Sequence, residues 1–99
     1  MNPNQDMDFK NTYIDKLTEH LSMLRAKAGV SQAEIAKVLG IARQTYSAIE
    51  CGRKKMSWNT FLSLVFFFRE NPKTNNVISV LNIYNDNLAN YIKGGKKSV

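Results

Sequence analysis

Apolar side chains return along this chain at intervals of three and four residues, the period of helices rather than the alternation of strands. Ile14, Leu17, Leu21, Leu24 and Ala28 follow at spacings of 3, 4, 3 and 4, which predicts an amphipathic helix over roughly residues 8–28. Gly29 ends it in the left-handed conformation. Ser31 and Glu34 then form a capping box, with Val30 and Ile35 in the hydrophobic-staple positions, and a short helix runs to Leu39 before Gly40. With under three turns it must pack to persist. A third helix, 42–51, pairs Tyr46 with Ile49 on one side and gathers Arg43, Gln44, Ser47 and Ala48 on the other. Gly52 closes it, and Arg53, Lys54 and Lys55 follow at once.

Ser57 is the expected cap of a fourth helix, with Met56 and Phe61 stapled across it. Phe61, Leu64, Val65 and Phe68 form its buried stripe, and Asn71-Pro72 ends it. Beyond Thr74, a fifth helix is expected in which Val77, Leu81, Tyr84, Leu88 and Tyr91 recur at 4, 3, 4 and 3, up to Gly94-Gly95. Those spacings average 3.5 residues over two heptads, the period of a helix–helix seam, so these five are the candidate dimer interface. Ile78, Ile83 and Ile92 lie beside or beyond the stripe, and Phe66 and Phe67 widen the apolar surface of the fourth helix. The alternative is that the last helix folds back over the core.

Charge changes this picture more than bulk composition does. The 99 residues are 43% hydrophobic and 22% charged, the mixture of one small globular domain, and five Gly and two Pro leave room for few turns. The net charge is +6. Residues 1–20 set four acids against Lys10 and Lys16, whereas residues 21–57 set seven bases against two acids. A basic middle beside an acidic start suggests a surface that meets a polyanion. A single cysteine, Cys51, excludes an intramolecular disulfide framework and a cysteine-based zinc site. The first ten residues lack a basic start and an apolar run, so no signal peptide is expected. No stretch approaches a membrane span, and a cytoplasmic location without membrane contact is expected.

Enzyme chemistry finds little support. His20 is the sole histidine, the carboxylates are scattered, and neither a Gly-rich phosphate loop nor metal-ligand spacing is present, so no catalytic residue, metal or cofactor is expected.

Two short helices joined around a glycine, with small Ala36 where they cross, form a helix-turn-helix. The stretch LRAKAGVSQAEIAKVLGIARQTYSAIECGRKKMS, residues 24–57, closely resembles the phage repressor/Cro-like (XRE-like) helix-turn-helix family. The resemblance extends over roughly residues 13–69 and rests on SQAEIA, the LG before the turn, RQTYSAIE and the basic loop. It implies an all-α fold: a five-helix repressor-like helix-turn-helix domain with an extra C-terminal helix. The expected divisions are the DNA-binding domain at 8–70, a C-terminal extension for packing or dimerisation at 71–93, and a basic tail at 94–99.

In that family the second helix of the motif lies in the DNA major groove. The resemblance therefore implies base contacts for Arg43, Gln44, Ser47 and Ala48. The chemistry agrees: Arg can grip guanine O6 and N7, Gln can bond adenine N6 and N7, and Ala48 offers a methyl to thymine. Gln32 is implied as a phosphate contact that also braces a recognition-helix side chain, Gln44, and Arg53, Lys54 and Lys55 as further phosphate contacts. Arg25 and Glu50 match positions that form a structural ion pair, which explains an acid on a helix facing DNA.

Four positions depart from the family pattern. Ala42 replaces a capping Ser or Thr, at a cost of about 1 kcal/mol. Tyr46 replaces a small aliphatic, so its hydroxyl needs a partner or the protein edge. Trp58 stands where some relatives place a minor-groove base. Cys51, where Asn is frequent, is expected as a buried, inert thiol. Three functions remain open on these residues: a sequence-specific transcriptional regulator, chiefly a repressor, bound as a homodimer to an inverted repeat of double-stranded DNA; an antitoxin with a toxin partner that autoregulates its operon; or a controller protein of a restriction system.

Overall fold

The structure, a computed structural model, describes residues 3–94. Six helices follow in order: α1 (Pro3–Ala28), α2 (Gln32–Leu39), α3 (Arg43–Glu50), α4 (Trp58–Glu70), α5 (Asn75–Val80) and α6 (Asp86–Ile92). The all-α expectation holds, and none of these helices is long and apolar enough to cross a membrane. α1 begins five residues before the position where its apolar stripe suggests a start. The added turn carries Asp6 in the first turn, where a carboxylate suits the positive end of the helix dipole.

Local chemistry sets the ends of α2, α3 and α4. The Ser31 hydroxyl accepts from the Glu34 amide at 3.0 Å while the Glu34 carboxylate accepts from the Ser31 amide at 2.8 Å. Gly40 has φ +75°, a conformation an L side chain resists, and turns the chain from α2 toward α3. The Ile41 amide then donates back to the Ala36 carbonyl. Ser57 caps α4 by accepting from the Thr60 amide, and Met56 and Phe61 are both buried beside it.

One core unites the helices. Leu17, Leu21 and Leu24 of α1, Ile35 of α2, Tyr46 of α3, and Phe61, Leu64 and Phe68 of α4 are fully buried. Burying an aliphatic or aromatic side chain of this size stabilises a fold by about 1.5–3 kcal/mol, so α2 and α3, too short to stand alone, are held by what they bury.

The C-terminal region corrects the expected single helix. Asn82 has φ +61°, and the chain breaks there into α5 and α6. The Asn82 amide donates to the Ser79 carbonyl and the Ile83 amide to the Ile78 carbonyl, a Schellman stop built on asparagine instead of glycine. Ile78 and Ile83, on either side of the stop, are both fully buried. Asn85 caps α6, its side-chain oxygen accepting from the Leu88 amide at 2.9 Å. Val77, Leu81, Tyr84, Leu88 and Tyr91 therefore form no continuous seam. Leu88 is wholly inside the core, and the other four are half-buried.

α6 folds back onto the start of the chain. Tyr91 stacks on Phe9 at 4.6 Å and meets Trp58 edge-on at 5.8 Å, and its hydroxyl donates to the Asp6 carboxylate. The Tyr13 hydroxyl donates to the Asn85 side-chain oxygen at 2.7 Å. Trp58 lies flat on Phe61 with ring centres 4.7 Å apart, so it serves packing at the point where α1, α4 and α6 meet. Of the basic tail, only Gly94 belongs to the described residues.

The asparagine stop is testable. Asn82→Ala must hold a left-handed residue with a methyl side chain and should lose about 1 kcal/mol in thermal melts. Asn82→Gly should match the wild type within a few tenths. Equal losses for both would show that the left-handed conformation is not the constraint.

Candidate nucleic-acid interface

The site is built on α3, whose two sides differ sharply. Tyr46 and Ile49 are buried, Ser47 and Ala48 half-buried, and Arg43 and Gln44 exposed. Among the described residues, the Arg43 and Gln44 side chains make no hydrogen bond or ion pair with the rest of the protein, so all their donors and acceptors face outward. Ala42 precedes the helix in extended conformation without a side-chain cap, as its methyl requires. At the other end, Gly52 carries φ +83°, and the Arg53 and Lys54 amides both donate to the Ala48 carbonyl. That wrap fastens the basic loop to the last turn of α3. Arg53 and Lys54 are exposed and have no ion-pair partner among the described residues, whereas Lys55 reaches back to Asp15 of α1 at 3.5 Å.

Behind this face lies the Glu50 carboxylate, with its side chain only 9% exposed. Four hydrogen bonds converge on it. Arg25 of α1 donates through Nε at 2.8 Å and through Nη2 at 3.0 Å, a two-pronged grip. Gln32 of α2 donates through Nε2 at 3.1 Å, and the Tyr46 hydroxyl donates at 2.7 Å from one turn back on α3. Arg25 also donates through Nη1 to the Val30 carbonyl at 3.0 Å, pinning the α1–α2 junction. Three helices are thus tied to one carboxylate.

Burial alone would raise the Glu50 pKa, but the bonds from Arg25, Tyr46 and Gln32 together hold it below the ordinary carboxylate value. Burial pushes the Tyr46 phenol upward, and its bond to the Glu50 anion adds to that shift. The Arg25 guanidinium is held charged by Glu50.

The Arg25–Glu50 pair expected from the sequence is present. Gln32 differs: its amide is given to Glu50 rather than to a brace for Gln44. The reason is electrostatic, since an anion is a stronger acceptor than a neutral amide. Tyr46 and Glu50 stand four residues apart on one helix, a pairing open to sequence reasoning but overlooked because Tyr46 reads first as core. Cys51 is exposed rather than buried, its thiol donating weakly to the Ala48 carbonyl at 3.5 Å. The helix ends one residue before Cys51, so the thiol follows the chain outward instead of the apolar face inward. No group of His, Cys, Asp or Glu among the described residues could hold a metal ion.

Glu50→Gln leaves the shape nearly intact and removes the charge that part-buried Arg25 requires. The loss should be about 3 kcal/mol at pH 7, the low end for a broken buried pair. Because the folded pKa of Glu50 lies below its ordinary value of 4.5, this stabilisation is present above that value and lost as the pH falls through the folded one. Denaturant titrations should therefore show the gap between wild type and variant closing below about pH 4. An equal gap at pH 3 and pH 7 would refute the role of charge.

Comparison with known families fits this geometry. The helix-turn-helix domain family matches residues 16–69, from the middle of α1 to the end of α4. No curated protein and no solved structure gave a match. The matched span covers more than half of the chain and contains α2, α3 and the whole Glu50 network, and the protein belongs to the helix-turn-helix domain family.

Proposed function

We propose that the protein is a sequence-specific DNA-binding transcriptional repressor that places α3 in the major groove. The observation that carries this reading is the two-sidedness of α3: Arg43 and Gln44 stand free and exposed while Tyr46, Ile49 and Glu50 are committed to the fold. Arg43 suits guanine and Gln44 suits adenine through paired hydrogen bonds, Ser47 suits a base edge or phosphate, and Ala48 suits the thymine methyl.

Phosphates flank that contact. Arg53 and Lys54 lie just beyond the C-terminal end of α3, and Lys55 joins them on leaving its exposed, weakly held pair with Asp15. Gln32, at the first turn of α2, keeps its side-chain oxygen and helix-end amides for a backbone contact while its nitrogen holds Glu50. These contacts supply affinity and register; the α3 side chains supply selectivity. One α3 spans only a few base pairs, so the reading includes two copies on an inverted repeat with half-sites about 34 Å apart.

Selection of bound sequences from a random DNA pool, followed by titration, tests this. Arg43→Ala and Gln44→Ala should each lose about 1–3 kcal/mol on the selected site and little on unrelated DNA. Lys54→Ala should weaken all sequences alike and reduce the salt slope by about one phosphate. An unchanged preferred sequence and affinity in Arg43→Ala would refute the placement of α3.

A further inference from the structure

A small polar pocket of about 360 Å³ lies between the last turn of α4 and the α5–α6 junction, lined by Arg69, Asn75, Asn76, Ser79 and Tyr84. The Arg69 guanidinium lies over the Tyr84 ring, 4.2 Å from its centre. That contact takes up one flat face of the guanidinium and leaves its N–H edge free. Among the described residues, none of the five side chains makes a hydrogen bond or an ion pair. Five polar heads thus share one concavity without bonding to one another.

The break at Asn82 creates this arrangement. In an unbroken helix Ser79 and Tyr84, five residues apart, would point about 140° away from each other. Here the chain turns at Asn82, Ile83 enters the core, and the Tyr84 amide donates back to the Ile78 carbonyl at 3.1 Å. Tyr84 is thereby brought to the same pocket as Ser79 and set beneath Arg69 of α4. Asn75 and Asn76 stand one turn before Ser79 on α5.

We propose that this pocket binds a short carboxylic acid in its anionic form. A planar carboxylate matches the flat N–H fork of a guanidinium whose plane is already held by stacking. Charge sets the class. Arg69 is the sole charged side chain among those lining the pocket, so one negative charge balances it and the second charge of a phosphate would be left over. Glu70 does not compete, because it lines the separate apolar groove beside Leu62 and Phe66. The carboxamides of Asn75 and Asn76 and the Ser79 hydroxyl both donate and accept, which suits hydroxyl groups on the rest of such an acid. The volume falls at the lower end of the range of small-molecule sites, roughly 300–1,000 Å³. α4 rises ~16 Å between Trp58, beside the basic loop, and Arg69. No residue of α1, α2 or α3 lines the pocket, so the site stands apart from the outer face of α3.

Nuclear magnetic resonance titrations of the full chain with sodium acetate, lactate and glutarate test this, with sodium chloride at equal ionic strength as the reference. At least one of the three acids should give saturable shifts at the Arg69 side-chain Nε–H and the Ser79 amide, and chloride should give none. Arg69→Gln and Arg69→Lys change an exposed residue and should keep the wild-type melting profile. Arg69→Gln should abolish the saturable shifts at Ser79, and Arg69→Lys, which keeps the charge but not the fork, should weaken binding at least fivefold. Tyr84→Phe keeps the stack and should bind within twofold of wild type. Absence of saturable shifts with all three acids, or wild-type binding by Arg69→Lys, would overturn the site. Tighter binding of inorganic phosphate than of any of the acids would overturn the carboxylate as its ligand. On duplex DNA Arg69→Gln should match the wild type; a tenfold loss there would give Arg69 to a DNA phosphate instead and overturn the proposal.

Discussion

A carboxylate buried behind the exposed face of α3 would be costly if left alone. Glu50 is instead the acceptor of four hydrogen bonds from three helices, and the mutual placement of α1, α2 and α3 depends on it. Apolar contacts hold these helices close, yet they tolerate sliding and rotation, because dispersion has little directional preference. The two-pronged grip of Arg25 does not, since guanidinium and carboxylate meet well in one plane only. Tyr46 fits the same arrangement: its ring belongs to the core and its hydroxyl to the network. The departure from the family pattern at Tyr46 thus adds a fourth bond instead of leaving an unsatisfied group.

Much of the fold is legible in the sequence wherever a local signal states both a position and a reason. The Ser31–Glu34 capping box, the stop at Gly40, the Ser57 cap and the stripe from Phe61 to Phe68 need only neighbours within one turn, and all are present. The break at Asn82 is different. Asparagine is compatible with helix, cap and turn alike, and the 3.5-residue recurrence from Val77 to Tyr91 continues across it. What decides is tertiary: Ile78, Ile83 and Leu88, not Val77, find room in the core. Asn82 and Asn85, three residues apart, formed a stop-and-start signal that the apolar periodicity masked.

The network shows the same boundary between local and distant information. Arg25 and Glu50 were legible through family resemblance, but the partner of Gln32 was not. Choosing between Glu50 and Gln44 requires distances that no spacing in the chain supplies. The aromatic cluster that closes α6 over α1 is likewise invisible locally, because Phe9 and Tyr91 lie at opposite ends of the chain and become neighbours only after the core forms.

The freedom of Arg43 and Gln44 has an evolutionary consequence. Neither side chain bonds to any other described residue, so folding places almost no constraint on their identity, while Glu50, Tyr46 and Arg25 cannot drift singly without cost. Duplicated copies of such a gene could diverge at the outer face of α3 by single nucleotide changes, each intermediate still folded. Under the proposed reading of α3, new specificities would then arise by neutral wandering on an unchanged scaffold rather than by compensated pairs of mutations.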